Sequence, residues 1–127
     1  MPPATSTVLL VDDDLENLWA LQLALESSRH HVVMAESGPE ALQKLQREVP
    51  RLIVTDWQMP GMDGSELCRR VRSQPALAEL PIVLLSAMPE PANEPHCWTL
   101  FFRKPVDLDA LLSAVSTLIA ERLGNDS

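Results

Sequence analysis

Five short apolar runs, near residues 7–11, 31–35, 52–55, 81–85 and 100–102, constrain this chain more than any other feature. None alternates polar with apolar residues, as a strand with one wet face would. Leu52-Ile53-Val54-Thr55 is typical: short, rich in β-branched side chains and uncharged. Such runs suit strands covered on both faces. Segments with helical spacing lie between them. Strands alternating with helices predict a parallel sheet, doubly wound, with helices on both faces. Parallel strands all end on one edge, and open α/β sheets place their ligands outside that edge.

The segment 15–28 carries Leu21, Ala24, Leu25 and Ser28 at helical spacing, which predicts a core-facing stripe with Leu18 at its border. Leu15, Trp19 and Leu23 then point to solvent. Ser37 and Glu40 form a capping box that opens a helix over 38–48, with Ala41, Leu42 and Leu45 inward. Pro60-Gly61 and Asp63-Gly64 turn the chain after the third run. A helix over 65–73 follows, with Leu67, Cys68 and Val71 inward. Val106 and Leu111 bracket Asp107 as a hydrophobic staple around an N-cap. The last helix then spans 107–123, with Leu108, Leu111, Leu112, Val115 and Ile119 inward. Between the fourth and fifth runs stand Pro89, Pro91 and Pro95. They remove N–H donors and clash with preceding turns, so no regular helix is expected there. A short turn of helix between Pro91 and Cys97 is the most that proline at a first turn allows.

A length of 127 residues, 46% of them hydrophobic, predicts one globular domain over 1–127, with a core of about 7–123 and flexible ends at 1–6 and 124–127. Ten Lys and Arg against 18 Asp and Glu leave a formal charge of −8. That argues against nucleic acid or an anionic membrane as a direct partner. No run is long enough to span a bilayer, and the polar start lacks a signal peptide's features, so a cytoplasmic location is expected. Cys68 and Cys97 show no metal or redox spacing, and Cys68 reads as a small core residue.

The predicted edge collects Asp12 and Asp13 from the first strand, Asp56 from the third, Ser86 from the fourth and Lys104 from the fifth. Three close carboxylates repel one another strongly at low dielectric. Either some keep their protons or a cation sits among them. Oxygen-only ligands select a hard cation such as Mg²⁺. A metal, the Lys104 charge and the Ser86 hydroxyl suit phosphoryl oxygens, and Asp56 is the candidate nucleophile for an acyl phosphate. Plainer readings exist. Asp56 opens a turn, Asp13 caps a helix with Glu16, and Ser86 is a turn hydroxyl. Lys104 resists a plain reading, because an apolar strand gives way to a lysine followed by proline.

With Val11-Asp12-Asp13, Asp56, Met59-Pro60-Gly61-Met62-Asp63-Gly64, Ser86-Ala87 and Lys104-Pro105 in place, the chain resembles a receiver domain of the two-component response regulators from about Thr7 to Leu123. The resemblance implies a flavodoxin-like five-stranded sheet in the order 2-1-3-4-5. It implies a signalling domain rather than an enzyme, one that assists its own phosphorylation and slow dephosphorylation. Asp56 would take the phosphoryl group from a sensor histidine kinase or a histidine phosphotransfer protein. Asp13, Asp56 and the backbone carbonyl of Gln58 would hold Mg²⁺, with Asp12 acting through water. Ser86 and Lys104 would bind phosphoryl oxygens, the Lys104-Pro105 bond would be cis, and Phe101 would be the switch aromatic. The phosphodonor would dock on Leu15, Leu18 and Trp19, where a homodimer contact is the competing reading. One departure stands out: Ser86 and Lys104 are only 18 positions apart, fewer than is usual in the family, which leaves a degenerate fourth helix. Two other readings share parts of this pattern. A haloacid-dehalogenase-type enzyme also pairs an Asp nucleophile with Mg²⁺, but has a second Asp two residues on, where this chain has Gln58. A pseudo-receiver would only bind a partner, and the intact acids and Lys104 count against it.

Overall fold

The strands form where uncharged runs can be buried from both sides. A computed structural model describes residues 6–92 and 96–125. Its elements are β1 (Thr7–Val11), α1 (Leu15–Ser27), β2 (His31–Ala35), α2 (Gly38–Arg47), β3 (Leu52–Asp56), α3 (Gly64–Arg72), β4 (Ile82–Ser86), β5 (Leu100–Arg103) and α4 (Leu108–Asn125), with a short 3₁₀ turn at Pro75–Leu77. All pairings are parallel, and the strand order is β2-β1-β3-β4-β5, as expected. No helix among the described residues is long and apolar enough to cross a membrane.

Alternate strand residues serve the two faces. Val8, Leu10, Val54, Val83 and Leu85 meet Leu18, Leu21 and Leu25 of α1 and Leu111, Val115 and Ile119 of α4. Leu9, Val11, Ile53, Ile82 and Leu84 meet Ala41 and Leu45 of α2 and Leu67, Cys68 and Val71 of α3. Ser37 caps α2 by accepting from Glu40 N–H, and Asp63 caps α3 by accepting from Glu66 N–H. Pro-Gly bends the chain at Gly61, whose φ of +76° suits glycine. Gly64 allows the return: a Cβ there would lie 2.3 Å from the carbonyl oxygen of Asp56.

The structure corrects two helix faces. The stripe of α1 is Leu18, Leu21 and Leu25, so Leu18 is core, 1% exposed, and not a border residue. It lies one turn before Leu21 and therefore on the same face. Ser28, expected in the stripe, is the C-cap instead. Leu15, Trp19 and Leu23 are exposed as expected. Leu108, expected inward, is 43% exposed. It starts α4 one turn ahead of Leu111, beside Pro105 and Val106.

Among the described residues between β4 and β5 there is no helix. Trp98 fills that place, buried at 6% exposure, with its ring 5.1 Å from Trp57 and 6.2 Å from Phe101. His96 stacks on its outer side at 4.6 Å, and its indole N–H donates to Glu90 Oε2 at 2.8 Å. Arg72 of α3 donates to the carbonyls of Cys97, Ala78 and Leu80, which anchors the segment ahead of β5. The turn allowed between Pro91 and Cys97 falls partly on residues 93–95, outside the described residues. The expected flexible ends likewise fall mainly on 1–5 and 126–127; Ser6 accepts a backbone bond from His31 N–H, and α4 runs to Asn125.

Candidate functional site

Four strand ends deliver the predicted constellation to one edge. β1 runs into Asp12 and Asp13, β3 ends in Asp56, β4 ends in Ser86, and Lys104 follows β5. Its backbone N–H donates to the Ser86 carbonyl at 2.7 Å, which sets the register of the last two groups. The Lys104-Pro105 bond is cis, as expected.

The acids divide by environment. Asp12 and Asp56 are buried, and Asp13 is exposed. One carboxylate oxygen of each lies within 4.8 Å of the others. Burial pushes both Asp12 and Asp56 above the ordinary carboxylate value. For Asp12, the backbone N–H of Asp14, donating to Oδ1 at 2.9 Å, opposes the rise. For Asp56, Lys104 opposes it: its Nζ lies 2.6 Å from Asp56 Oδ1. That oxygen receives no well-directed hydrogen bond from the described residues, so the contact is one of charge. A buried carboxylate oxygen without directed donors, next to two more carboxylates, fits a hard cation.

Asp13 is free for that role. The cap of α1 is Asp14, which accepts from Glu16 N–H and Asn17 N–H, so the pairing of Asp13 with Glu16 as a capping box does not form. Three consecutive aspartates offer two registers, and the structure takes the later one.

Ser86 Oγ accepts from Gln58 Nε2 at 2.9 Å and from Met88 N–H at 3.0 Å. Two accepted bonds use its lone pairs and leave its O–H to donate. Gln58 Oε1 also accepts from Ala87 N–H at 3.2 Å. The side chain of Gln58 thus clamps the end of β4. Nothing in the sequence signals this clamping role of its amide. Phe101 is half-buried and meets Trp57 edge-on at 6.2 Å. Leu15 and Trp19 lie exposed on α1, just past the acids, while Leu18 points into the core and offers no surface to a partner.

Known proteins carry the same arrangement. The family model described as "response regulator receiver domain" matches residues 8–116. The transcriptional regulatory protein AfsQ1 of Streptomyces coelicolor is 43% identical over 81 residues, 64% of this chain and 35% of its own length. The transcriptional regulatory protein GlrR of Escherichia coli is 38% identical over 120 residues, 90% of this chain and 26% of its own length. This chain therefore spans about a third or less of these two relatives. The signal receiver domain of a signal transduction histidine kinase from Syntrophus aciditrophicus superimposes with a TM-score of 0.85 at 31% identity, covering 92% of each chain. The sheet order, the acids at its edge and a family match over most of the described residues agree, and the chain belongs to the response regulator receiver domains of two-component signalling.

Proposed function

We propose that residues 7–123 work as one receiver unit in which Asp56 accepts a phosphoryl group from a phosphohistidine. The observation that carries this is the Lys104 ammonium, 2.6 Å from a buried Asp56 oxygen that sits among two more carboxylates. An Asp56 oxygen attacks phosphorus in line, a P–O bond forms, and the P–N bond to the donor imidazole breaks. Lys104 holds developing charge on the phosphoryl oxygens, and Ser86 donates its O–H to one of them. Asp13, Asp56 and the Gln58 carbonyl would hold Mg²⁺, with Asp12 through water. When bound, Mg²⁺ supplies positive charge that offsets the acids and the incoming phosphate. The unit is a phosphoacceptor rather than a turnover enzyme, and its donor is a sensor histidine kinase or a histidine phosphotransfer protein. Phe101, which packs against both Trp57 and Trp98, reports the change. A charge of −8 favours a protein partner over nucleic acid.

The raised acids carry a pH signature. Because Asp12 and Asp56 hold protons more tightly in the folded chain than in the unfolded one, their contribution is most favourable below about 3.8. It is lost as the pH rises through their higher folded values. In chelator, the stability advantage of Asp56→Asn over wild type should therefore grow from pH 4 to neutrality. Mg²⁺ at about 100 times its Kd should restore about 2.7 kcal/mol to wild type, roughly 10 °C in Tm, and much less to Asp13→Ala. Thermal melts across pH, with and without Mg²⁺, measure both. An advantage that shrinks with pH, or a Mg²⁺ shift intact in Asp13→Ala, refutes this arrangement of charges.

The donor docks on the exposed face of α1, at Leu15 and Trp19. Trp19, 55% exposed on the helix that follows the acids, is the natural hot spot. Wild type should be labelled both by acetyl phosphate and by the phosphohistidine protein. Leu15→Ser/Trp19→Ser should slow transfer from the protein donor by about tenfold or more, the loss of a few kcal/mol of contact, and leave acetyl phosphate labelling unchanged. Equal slowing with both donors, or with neither, rejects this surface. If the double substitution instead removes a sedimenting dimer and spares transfer, the stripe is a self-contact.

A further inference from the structure

We propose that Cys68 and Cys97 are a reversible thiol–disulfide pair that ties α3 to the segment ahead of β5. They are 29 positions apart, and nothing in their spacing links them. The fold does. Cys68 is fully buried on α3, and Cys97, half-buried, packs against the same cluster. Two contacts place Cys97 over Cys68. Its Sγ lies 4.0 Å from the carbonyl oxygen of Ser65, one turn before Cys68. Its own carbonyl accepts a 2.9 Å hydrogen bond from Arg72 Nε, one turn after Cys68. Residues three and four apart share a helix face, so Cys97 bridges the patch that Cys68 occupies. Burial, and then the adjoining Cys97 thiol, push the Cys68 thiol upward.

The accessible partner reacts first. The Cys97 thiolate attacks a low-molecular-weight disulfide, an S–S bond forms, and one small thiolate leaves. The Cys68 sulfur then attacks Cys97 Sγ, giving up its proton as the second small thiol departs. Two protein thiols are oxidised, and one small disulfide becomes two thiols. The product fixes residue 97 on α3 and with it the adjoining Trp98, whose ring packs on Trp57 and Phe101.

Native protein is incubated with oxidised glutathione, quenched in acid, and examined by intact mass and peptide mapping. Wild type should lose two hydrogens, with the Cys68 and Cys97 peptides joined, and dithiothreitol should reverse this. Cys68→Ser should stop at one glutathione adduct on Cys97. Cys97→Ser, altered at the less buried position, should form no link. The wild-type result decides even where Cys68→Ser perturbs the core. Two free thiols, a lasting glutathione adduct, or a link formed only in denaturant, with native circular dichroism otherwise retained, overturns the pairing.

Discussion

Asp56→Asn should abolish the phosphoryl adduct that acetyl phosphate and Mg²⁺ leave on the wild-type chain. The amide is nearly the same size, so the end of β3 and its contacts with β4 are kept. It is a far weaker nucleophile than a carboxylate and cannot give the same mixed anhydride. Asp12 and Asp13 lie within the same 4.8 Å cluster, so the experiment asks which acid reacts. Of these three acids, Asp56 is the one in direct ion-pair contact with Lys104, the charge able to follow a phosphoryl group. Intact mass should show the adduct fall below detection, and circular dichroism should be unchanged. Lys104→Ala should still bind the metal but label slowly. An adduct of equal stoichiometry in Asp56→Asn would move the nucleophile to a neighbouring acid.

Trp98→Ala should be the most destabilising change away from that pocket. The ring is 6% exposed and, in the segment that connects β4 to β5, packs against Trp57, His96 and Phe101. Truncating a buried Trp costs about 3–5 kcal/mol through lost transfer energy and the cavity left behind. For a domain of this size that is a fall of roughly 10–20 °C in Tm. Trp98→Phe keeps most of the packing and loses the bond to Glu90, so it should cost about 1–2 kcal/mol. Trp19→Ala, at an exposed site, should stay within about 0.5 kcal/mol. Chemical denaturation of the three variants gives the order. A Trp98→Ala loss below that of Trp19→Ala would mean the ring does not close the core.

The sheet was legible because strands buried on both faces are written as unbroken apolar runs. The strand ends were legible because charge begins where those runs stop. Face assignments were harder. Leucines at 15, 18, 21, 23 and 25 surround α1, so spacing alone cannot phase it, and Leu18 was set at the border of the stripe it leads. For α4 the face was right, but spacing does not reveal how far the first turn of a helix is covered, hence Leu108. Asp13 and Asp14 competed for one cap, and only backbone geometry chooses between them. Trp98 follows no period in a proline-rich stretch, and the nearness of Cys97 to α3 is purely tertiary. The Gln58 clamp depends on a rotamer, which no sequence pattern encodes.

The lack of a helix among the described residues between β4 and β5 has a consequence for crosstalk. The family resemblance implies a helix beside the fifth strand as part of the signalling face. Here the described residues offer β5, an indole plug and a carboxylate, Glu90, in its stead. A downstream protein that reads such a helix would not find one among the described residues, even with Asp56 phosphorylated as proposed. If Asp56 takes its phosphoryl group as proposed, the chain would share a phosphate supply with other receivers while its output stayed insulated from theirs, open to a partner shaped to the plug.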